Sequence, residues 1–398
     1  MKFAHLADCH IGGWADPKLT QLGIECFKRA IDICIKENIG FILIAGDLFD
    51  TALPNIDLVR EVARILEKLR QREINVYVVP GSHDFSHSGK TMLDVFENSG
   101  LCVNVVKFKD NNLIFTEDKT GVKLTGLGGK RNNLEIPEYE NLVKKHLENE
   151  DGFKIFIFHT TLEEFKPKWL EKIPGLNYNL LPKNFNYYAG GHVHYIFDKK
   201  IGNSLITYPG ALFPNNFMEL ERFKHGGFYI VDDKLNFTYK EVKLKDVVSF
   251  NINADGKSTI DVENELLNLN NINDKIVLIR INGVLESGKT GDIGFKKVLE
   301  NLYEKGAYTV LRNTAKLKSK EFEEVEVESG NVEEVEERVV KEHLGQFNIF
   351  ENEEKITLEL LKVLSKEKSD GERNIDFEVR LFKDIIKVLG IEDRLNVN

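Results

Sequence analysis

The sequence predicts an α/β protein of layered α+β type, with a smaller α/β unit behind it and a helical tail at the end. Three observations predict it. Short apolar runs alternate with helical-period stretches early in the chain and then give way to a run of strands. Near residue 245 the texture changes to a compact set of strands and helices. Beyond residue 320 a Glu-rich tract leads into amphipathic helical segments.

Residues 2–7 read as an apolar strand ending in Asp8-Cys9-His10. Residues 18–37 repeat Leu19, Leu22, Cys26 and Ile33 on a helical period, and Asn38-Ile39-Gly40 stops them. Residues 41–45 form a second strand that turns out through Gly46-Asp47. A second amphipathic helix covers 55–70, and a third strand, 75–79, ends at Pro80-Gly81. Further strands are expected at 101–107, 121–127, 153–158, 186–190, 204–208 and 226–231. Together these suggest a central β-sheet layered with helices. In the smaller unit, 247–252, 275–281 and 308–311 read as strands, and 259–268 and 293–305 as helices. In the tail, Asn331 is placed to cap a helix with Glu334 three residues on, its face carrying Val332, Val335 and Val339. Residues 375–389 align Ile375, Val379, Phe382, Ile386 and Leu389 in one stripe, with Gly390 as a stop.

With 42% apolar and 30% charged residues in 398, the chain reads as globular rather than disordered. No apolar run approaches the ~18–20 residues of a membrane span. Chemistry-bearing residues begin at Asp8, so no cleaved leader is expected. Cys9, Cys26, Cys34 and Cys102 show no metal-finger or CxxC spacing, which excludes a disulfide scaffold and fits a reducing cytosol. The net charge of −10 is concentrated: residues 321–342 hold ten acids against Arg338 and Lys341, leaving −2 for the rest. That balance neither announces nor forbids nucleic acid; a metal site with a few local Lys and Arg contacts still suffices to hold a phosphate backbone.

Strand exits in the first 200 residues deliver metal-capable or proton-capable side chains: Asp8 and His10, Asp47, His83 and Asp84, His159, then His192 and His194. Five of the ten histidines stand here. A lone histidine after a strand is ordinarily a surface or capped residue, but this many at separate strand ends points to convergence in one crevice. Imidazole and carboxylate without thiolate suit Mn, Fe, Zn or Ni in a site with open positions. The candidates exceed the need of one ion, and a pair ~3.5–4 Å apart fits in-line attack on phosphorus. Asp-x-His and His-x-His place two ligands on one side of an extended strand end.

Asp8-Cys9-His10, Gly46-Asp47-Leu48-Phe49-Asp50, Gly81-Ser82-His83-Asp84, His159 and Gly191-His192-Val193-His194 resemble, in order, the five-block signature of calcineurin-like metallophosphoesterases. The segments HLADCHIG, ILIAGDLFDTALP and VVPGSHDFS look like the SbcD-like branch of DNA double-strand-break repair nucleases, the meiotic-recombination-eleven family. The resemblance covers roughly residues 1–235. It implies a metallophosphoesterase β-sandwich flanked by helices over 1–245, a small α/β capping domain over 246–315, and an acidic linker with a partner-binding tail over 316–398. It implies one metal on Asp8, His10 and His194, a second on His159 and His192, and Asp47 bridging both. His83 would stabilise the transition state or protonate the leaving oxygen, with Asp84 orienting it. Asp50 matches a variant of bacterial members; others carry histidine there. The pattern departs at Ser82, where the family has asparagine. A hydroxyl is a shorter and poorer neutral ligand, so a weaker second metal site is expected.

The resemblance further implies a two-metal DNA phosphodiesterase, exonuclease and endonuclease, with manganese preferred. Its implied partners are DNA, an SbcC-type ABC/SMC coiled-coil ATPase, and a second copy of the chain docked through the helices at 17–37 and 55–70. Its implied location is the cytoplasm, at the nucleoid, away from membranes. Two other readings compete. One is a small-molecule or protein phosphatase of the same superfamily; Thr51-Ala52-Leu53 after Asp50, where many such phosphatases place arginine, argues against the protein-phosphatase branch. The other is a non-catalytic scaffold recruiting an ATPase, which only Ser82 favours. Cys9 alternates away from its neighbours and reads as a structural thiol, and His5 as a core histidine. His87 reads as a surface residue and Trp14 as packing on the first helix. Residues 165–172 mix aromatics with lysines, which suits single-stranded DNA or an ordinary exposed loop.

Overall fold

The computed structural model describes residues 1–85, 91–320, 353–366, 368 and 374–390. The Glu-rich tract, the cap expected at Asn331, and His87 lie outside them. The chain divides into two units, Met1–Lys320 and Glu321–Asn398.

The first unit begins as the periodicity predicts, with β1 (Lys2–Leu6), α1 (Pro17–Lys36), β2 (Phe41–Ala45), α2 (Ile56–Arg70) and β3 (Asn75–Val79). Asp16 caps α1 by accepting from the N–H groups of Lys18 and Leu19, and Pro17 occupies the first turn. Asn55 caps α2 through the N–H of Asp57. Next come α3 (Met92–Asn98), β4 (Val103–Asn104), β5 (Phe108–Lys109), β6 (Asn112–Leu113), β7 (Thr116–Glu117) and β8 (Lys123–Leu127). Short helices α4 (Ile136–Glu140) and α5 (Lys145–Glu148) precede β9 (Lys154–His159) and β10 (Tyr187–Gly191). β11 (Phe197–Ile201), β12 (Ser204–Tyr208), α6 (Phe217–Phe223), β13 (Gly226–Asp232) and β14 (Phe237–Val242) follow.

The central β layer is two sheets rather than one. The first has the order β14-β13-β1-β2-β3-β4, the second β11-β12-β10-β9-β8-β7. They pack face to face: Phe3, Phe41, Leu43 and Tyr77 of the first meet Ile155, Ile157 and Tyr187 of the second. Alternate residues of the first sheet, Ile42, Ile44 and Val78, pack against Phe27 and Ile31 of α1 and Val62 and Leu66 of α2. On the far side, Tyr139 and Leu147 close over Phe156, Phe158 and Tyr208. Each such buried side chain contributes about 1.5–3 kcal/mol of transfer free energy. β1, β2 and β3 run parallel, as do β8, β9 and β10. Their C-terminal ends therefore emerge together within each sheet. β11 and β14 escape the sequence pattern because they are edge strands with mostly polar, half-exposed residues.

Beyond Val242, β15 (Val247–Asn253), β16 (Ile276–Leu285) and β17 (Thr309–Ser319) form a parallel three-stranded sheet, connected through α7 (Thr259–Leu267) and α8 (Phe295–Glu304). Ser258 and Asp261 form a capping box on α7. Val277, Ile279 and Ile281 pack with Val262, Leu266, Val298 and Leu302, while Ile276 and Leu278 join the core around α1. Arg280 holds Glu221 of α6 through Nε (3.1 Å) and Nη2 (2.7 Å). β17 runs well past the expected 308–311, because its continuation, Arg312–Ser319, is largely polar.

In the second unit, α9 (Glu353–Leu364) and α10 (Asn374–Leu389) pack on each other, and Lys366 pairs with Asp384 at 2.8 Å. Of the expected stripe, Ile386 is buried, while Val379 and Phe382 are exposed.

Candidate metal centre

The ends of the two parallel strand sets meet at one edge of the sandwich. Asp8 follows β1, and its two carboxylate oxygens accept the backbone N–H of His192, after β10, at 2.9 and 3.1 Å. Asp47 follows β2; its Oδ1 accepts the backbone N–H of His83 at 2.8 Å. Its Oδ2 lies 3.1 Å from His159 Nε2 and 3.7 Å from His10 Nε2. His10 Nε2 in turn lies 3.1 Å from His194 Nε2.

Holding these groups together strains the backbone. Asp8, His10, Asp47 and His192 have φ of 48°, 40°, 48° and 88°, the left-handed region that L side chains avoid. Two glycines make room. A Cβ on Gly46 would fall 2.0 Å from His159 Nδ1, and one on Gly81 2.1 Å from Asp47 Oδ1.

Two overlapping donor groups share Asp8, namely Asp8–His10–His194 and Asp8–Asp47–His159, and a third joins His10, Asp50 and His83. The first is the set expected for one metal, and the second contains the expected bridge and one ligand of the other. His192 is different. Its ring lies 5.1 Å from that of His159, yet its nitrogens fall in none of these groups. Burial pushes its pKa down to about 3, so it is a neutral imidazole. Ser82 places Oγ 3.4 Å from Asp47 Oδ2.

His83 and Asp84 depart from the expected pair. The Nδ1 of His83 donates to the backbone carbonyl of Asp50 at 2.8 Å, and no hydrogen bond joins the two among the described residues. Asp84 is buried, and its Oδ2 accepts the N–H of Gly81 at 2.8 Å, bracing the turn. Burial, reinforced by the charge of Asp47, raises its pKa to about 7. The sequence offers no way to tell a carbonyl from a neighbouring carboxylate as the partner of an imidazole.

Three residues support the ligating imidazoles; Asp50 closes the second signature block, while Asn215 and Glu219 belong to no motif. Asp50 Oδ1 accepts from His10 Nδ1 and from Asn215 Nδ2, both at 3.1 Å. Glu219 of α6 accepts from His194 Nδ1 at 2.9 Å. For Asn215 and Glu219 the only signal is the general expectation that a ligating imidazole gives its second N–H to a carboxylate or carbonyl, which in turn is hydrogen-bonded.

The donors fit divalent cations. His10, His194 and His159 direct Nδ1 at acceptors, Asp50, Glu219 and the Ala45 carbonyl (2.8 Å). In the neutral ring each Nε2 is then a lone pair. The Nε2 of buried His159 has no hydrogen-bond partner, although Asp47 Oδ2 is 3.1 Å away. Two more such lone pairs face each other across 3.1 Å in His10 and His194. Only a proton or a cation makes these contacts favourable. Without the cation, burial lowers His159 but Asp47 outweighs it and lifts the imidazole to about 10. Burial likewise opposes Glu219 at His194, which ends at about 9.

Residues 1–195, which contain every candidate ligand, match the calcineurin-like phosphoesterase family. The match covers just under half of the chain. Members of that family are hydrolases that use divalent metals. The chain is 28% identical over 317 residues to the DNA double-strand break repair protein Mre11 of Methanococcus maripaludis, covering 76% of this chain and 79% of that one. It is also 28% identical over 228 residues to the Mre11 protein of Archaeoglobus fulgidus, covering 53% of this chain and 50% of the relative. A metallophosphoesterase of Bacillus subtilis, YhaO, is 26% identical over 58% of this chain and 57% of its own. The matched stretch thus spans only about half of some relatives. Among the described residues no helix is long and apolar enough to cross a membrane.

Proposed function

We propose that this chain is a two-metal DNA phosphodiesterase of double-strand-break repair, acting as exonuclease and endonuclease with manganese preferred. The observation that carries the reading is the pair of donor groups sharing Asp8, with Asp47 Oδ2 within reach of His10 and His159. The likeness to Mre11 proteins supports DNA as substrate.

Asp8, His10 and His194 would hold one cation, and His159 the other, with His192 completing its shell, Asp47 between the two and Ser82 contributing weakly. Bound cations supply Lewis-acid chemistry, lowering the pKa of water and neutralising charge on phosphate oxygens. The residues of the chain do the rest. Asp50 and Glu219 fix the tautomers of His10 and His194. His83 is partly exposed beside His10, with ring centres 4.9 Å apart. Its Nδ1 is committed to the Asp50 carbonyl, which leaves Nε2 to stabilise the transition state or protonate the leaving oxygen.

In this account residues 1–245 carry catalysis, 246–315 cap the substrate, and 316–398 bind an SbcC-type ABC/SMC ATPase in the cytoplasm, at the nucleoid. The exposed Val379 and Phe382 on α10 support a docking role for the tail. Leu53, in the loop before α2, and Ile56, its first residue, are exposed and support a homodimer through α1 and α2. Digestion of linear DNA with and without manganese, by the full chain and by Asp8→Ala, tests the proposal.

A further inference from the structure

A cavity of about 470 Å³ adjoins the metal centre. His192 and His194 line it, together with Trp169, Ile173, Met218 and Arg222. Its size falls in the ~300–1,000 Å³ range of organic-ligand sites, well beyond what a water or an ion needs.

The lining has an unusual character for a wall shared with metal donors. Trp169, Ile173 and Met218 are 56%, 42% and 67% exposed. The guanidinium of Arg222 lies 4.1 Å from the centre of the Trp169 ring. Tyr195 supports the same ring edge-on, at 6.4 Å. Helix α6 ties this wall to the centre. Glu219 fixes His194, and Arg222, three residues on, shares that helix face. A ligand with a phosphate at the cations therefore finds, beside it, a planar apolar surface and a cation.

We propose that this cavity takes the unpaired nucleobase of the nucleotide flanking the scissile phosphate, stacked against the Trp169–Arg222 pair. The assignment rests on the DNA reading given above and names the substrate feature it selects. A base has a flat π-face for the indole and acceptor atoms for the guanidinium, and a sugar-phosphate link joins it to the phosphate at the cations. A base inside a duplex is stacked on its neighbours and cannot enter, so single-stranded or frayed DNA is the favoured substrate.

The test uses two single strands of equal length, one with normal bases and one with tetrahydrofuran abasic residues across the cleaved region. kcat/KM is measured for each with manganese and the full chain. The wild type favours the base-bearing strand by roughly 5- to 150-fold, the usual worth of one aromatic–base stack. Trp169→Ala brings that ratio close to one, and Trp169→Phe, which keeps a ring, retains most of it. Because the ratio is taken within one protein, a general loss of fold or metal cancels. A wild-type ratio near one, or an undiminished ratio in Trp169→Ala, overturns the base pocket and leaves DNA cleavage standing. Failure of the wild type to cleave either strand overturns the DNA reading and the pocket with it.

Discussion

His10 Nε2 stands 3.1 Å from His194 Nε2, each ring tied at its other nitrogen to a carboxylate, Asp50 and Glu219. Two strands from opposite sheets thus aim lone pairs at one point. Such an arrangement is unfavourable until a proton or a cation fills it, so cation binding there would displace a proton and depend on pH.

Each donor group built on Asp8 brings three ligand atoms, but only the second has Ser82, a poorer neutral ligand than an amide, beside it. Calorimetric titration with manganese should give two affinities, and Ser82→Asn should tighten the weaker one. Two equal, tight sites indifferent to this substitution would remove the assignment.

His83 stands beside His10 and shares a possible donor group with His10 and Asp50, but joins neither group built on Asp8. His83→Ala should lose ~10²–10⁴-fold in rate while bound metal stays the same. A fall in metal content would make it a ligand. Because Asp84 braces the Gly81 turn, Asp84→Asn should act mainly on stability, measured as a change in melting temperature larger than its effect on KM.

His5 gives the metal-free protein a pH dependence of its own. It is buried between the sheets, with Nδ1 2.9 Å from both the Tyr187 and Thr207 hydroxyls. Burial lowers its pKa from 6.5 to about 3. The unfolded chain therefore takes up a proton at His5 before the folded one does. Its contribution to stability is complete above pH 6.5 and is lost as pH falls toward 3, by about 1.4 kcal/mol per unit for one proton. Denaturant melts of His5→Asn across this range should show a shallower slope than wild type. An unchanged slope would show that His5 is not the group responsible.

Much of this was legible in the sequence because the informative residues follow apolar strands. FAHLA, FILIA and VYVV mark β1, β2 and β3, and candidate site residues sit where they end. Pairing across the sandwich was not legible, since Phe3 against Tyr187 spans most of the first unit and leaves no local period. β11 and β14 lacked an apolar alternation to reveal them. Glu219 was hidden for another reason: its role exists only through the His194 imidazole it touches. Cys9 and His5 are buried within the core, as alternation and strand position predicted, and Trp14 packs on α1's core while its Nε1 donates to Pro214 O at 2.9 Å.

The tail offers a separable test. Val379 and Phe382 are exposed on α10, while Ile386 on the same helix is buried. Phe382→Glu should abolish binding of the ATPase and leave manganese-dependent cleavage by the isolated protein intact. A sharp fall in melting temperature together with lost cleavage would make the stripe part of the core.

The most direct measurement of the central claim is the digestion of linear DNA by the purified full chain, followed as a function of added manganese. The account predicts phosphodiester cleavage that requires the cation, is stopped by chelation, and is lost in Asp8→Ala, whose carboxylate two donor groups share. Manganese-loaded protein that hydrolyses a phosphomonoester but leaves DNA whole, or an Asp8→Ala protein that cuts DNA like wild type, would contradict it.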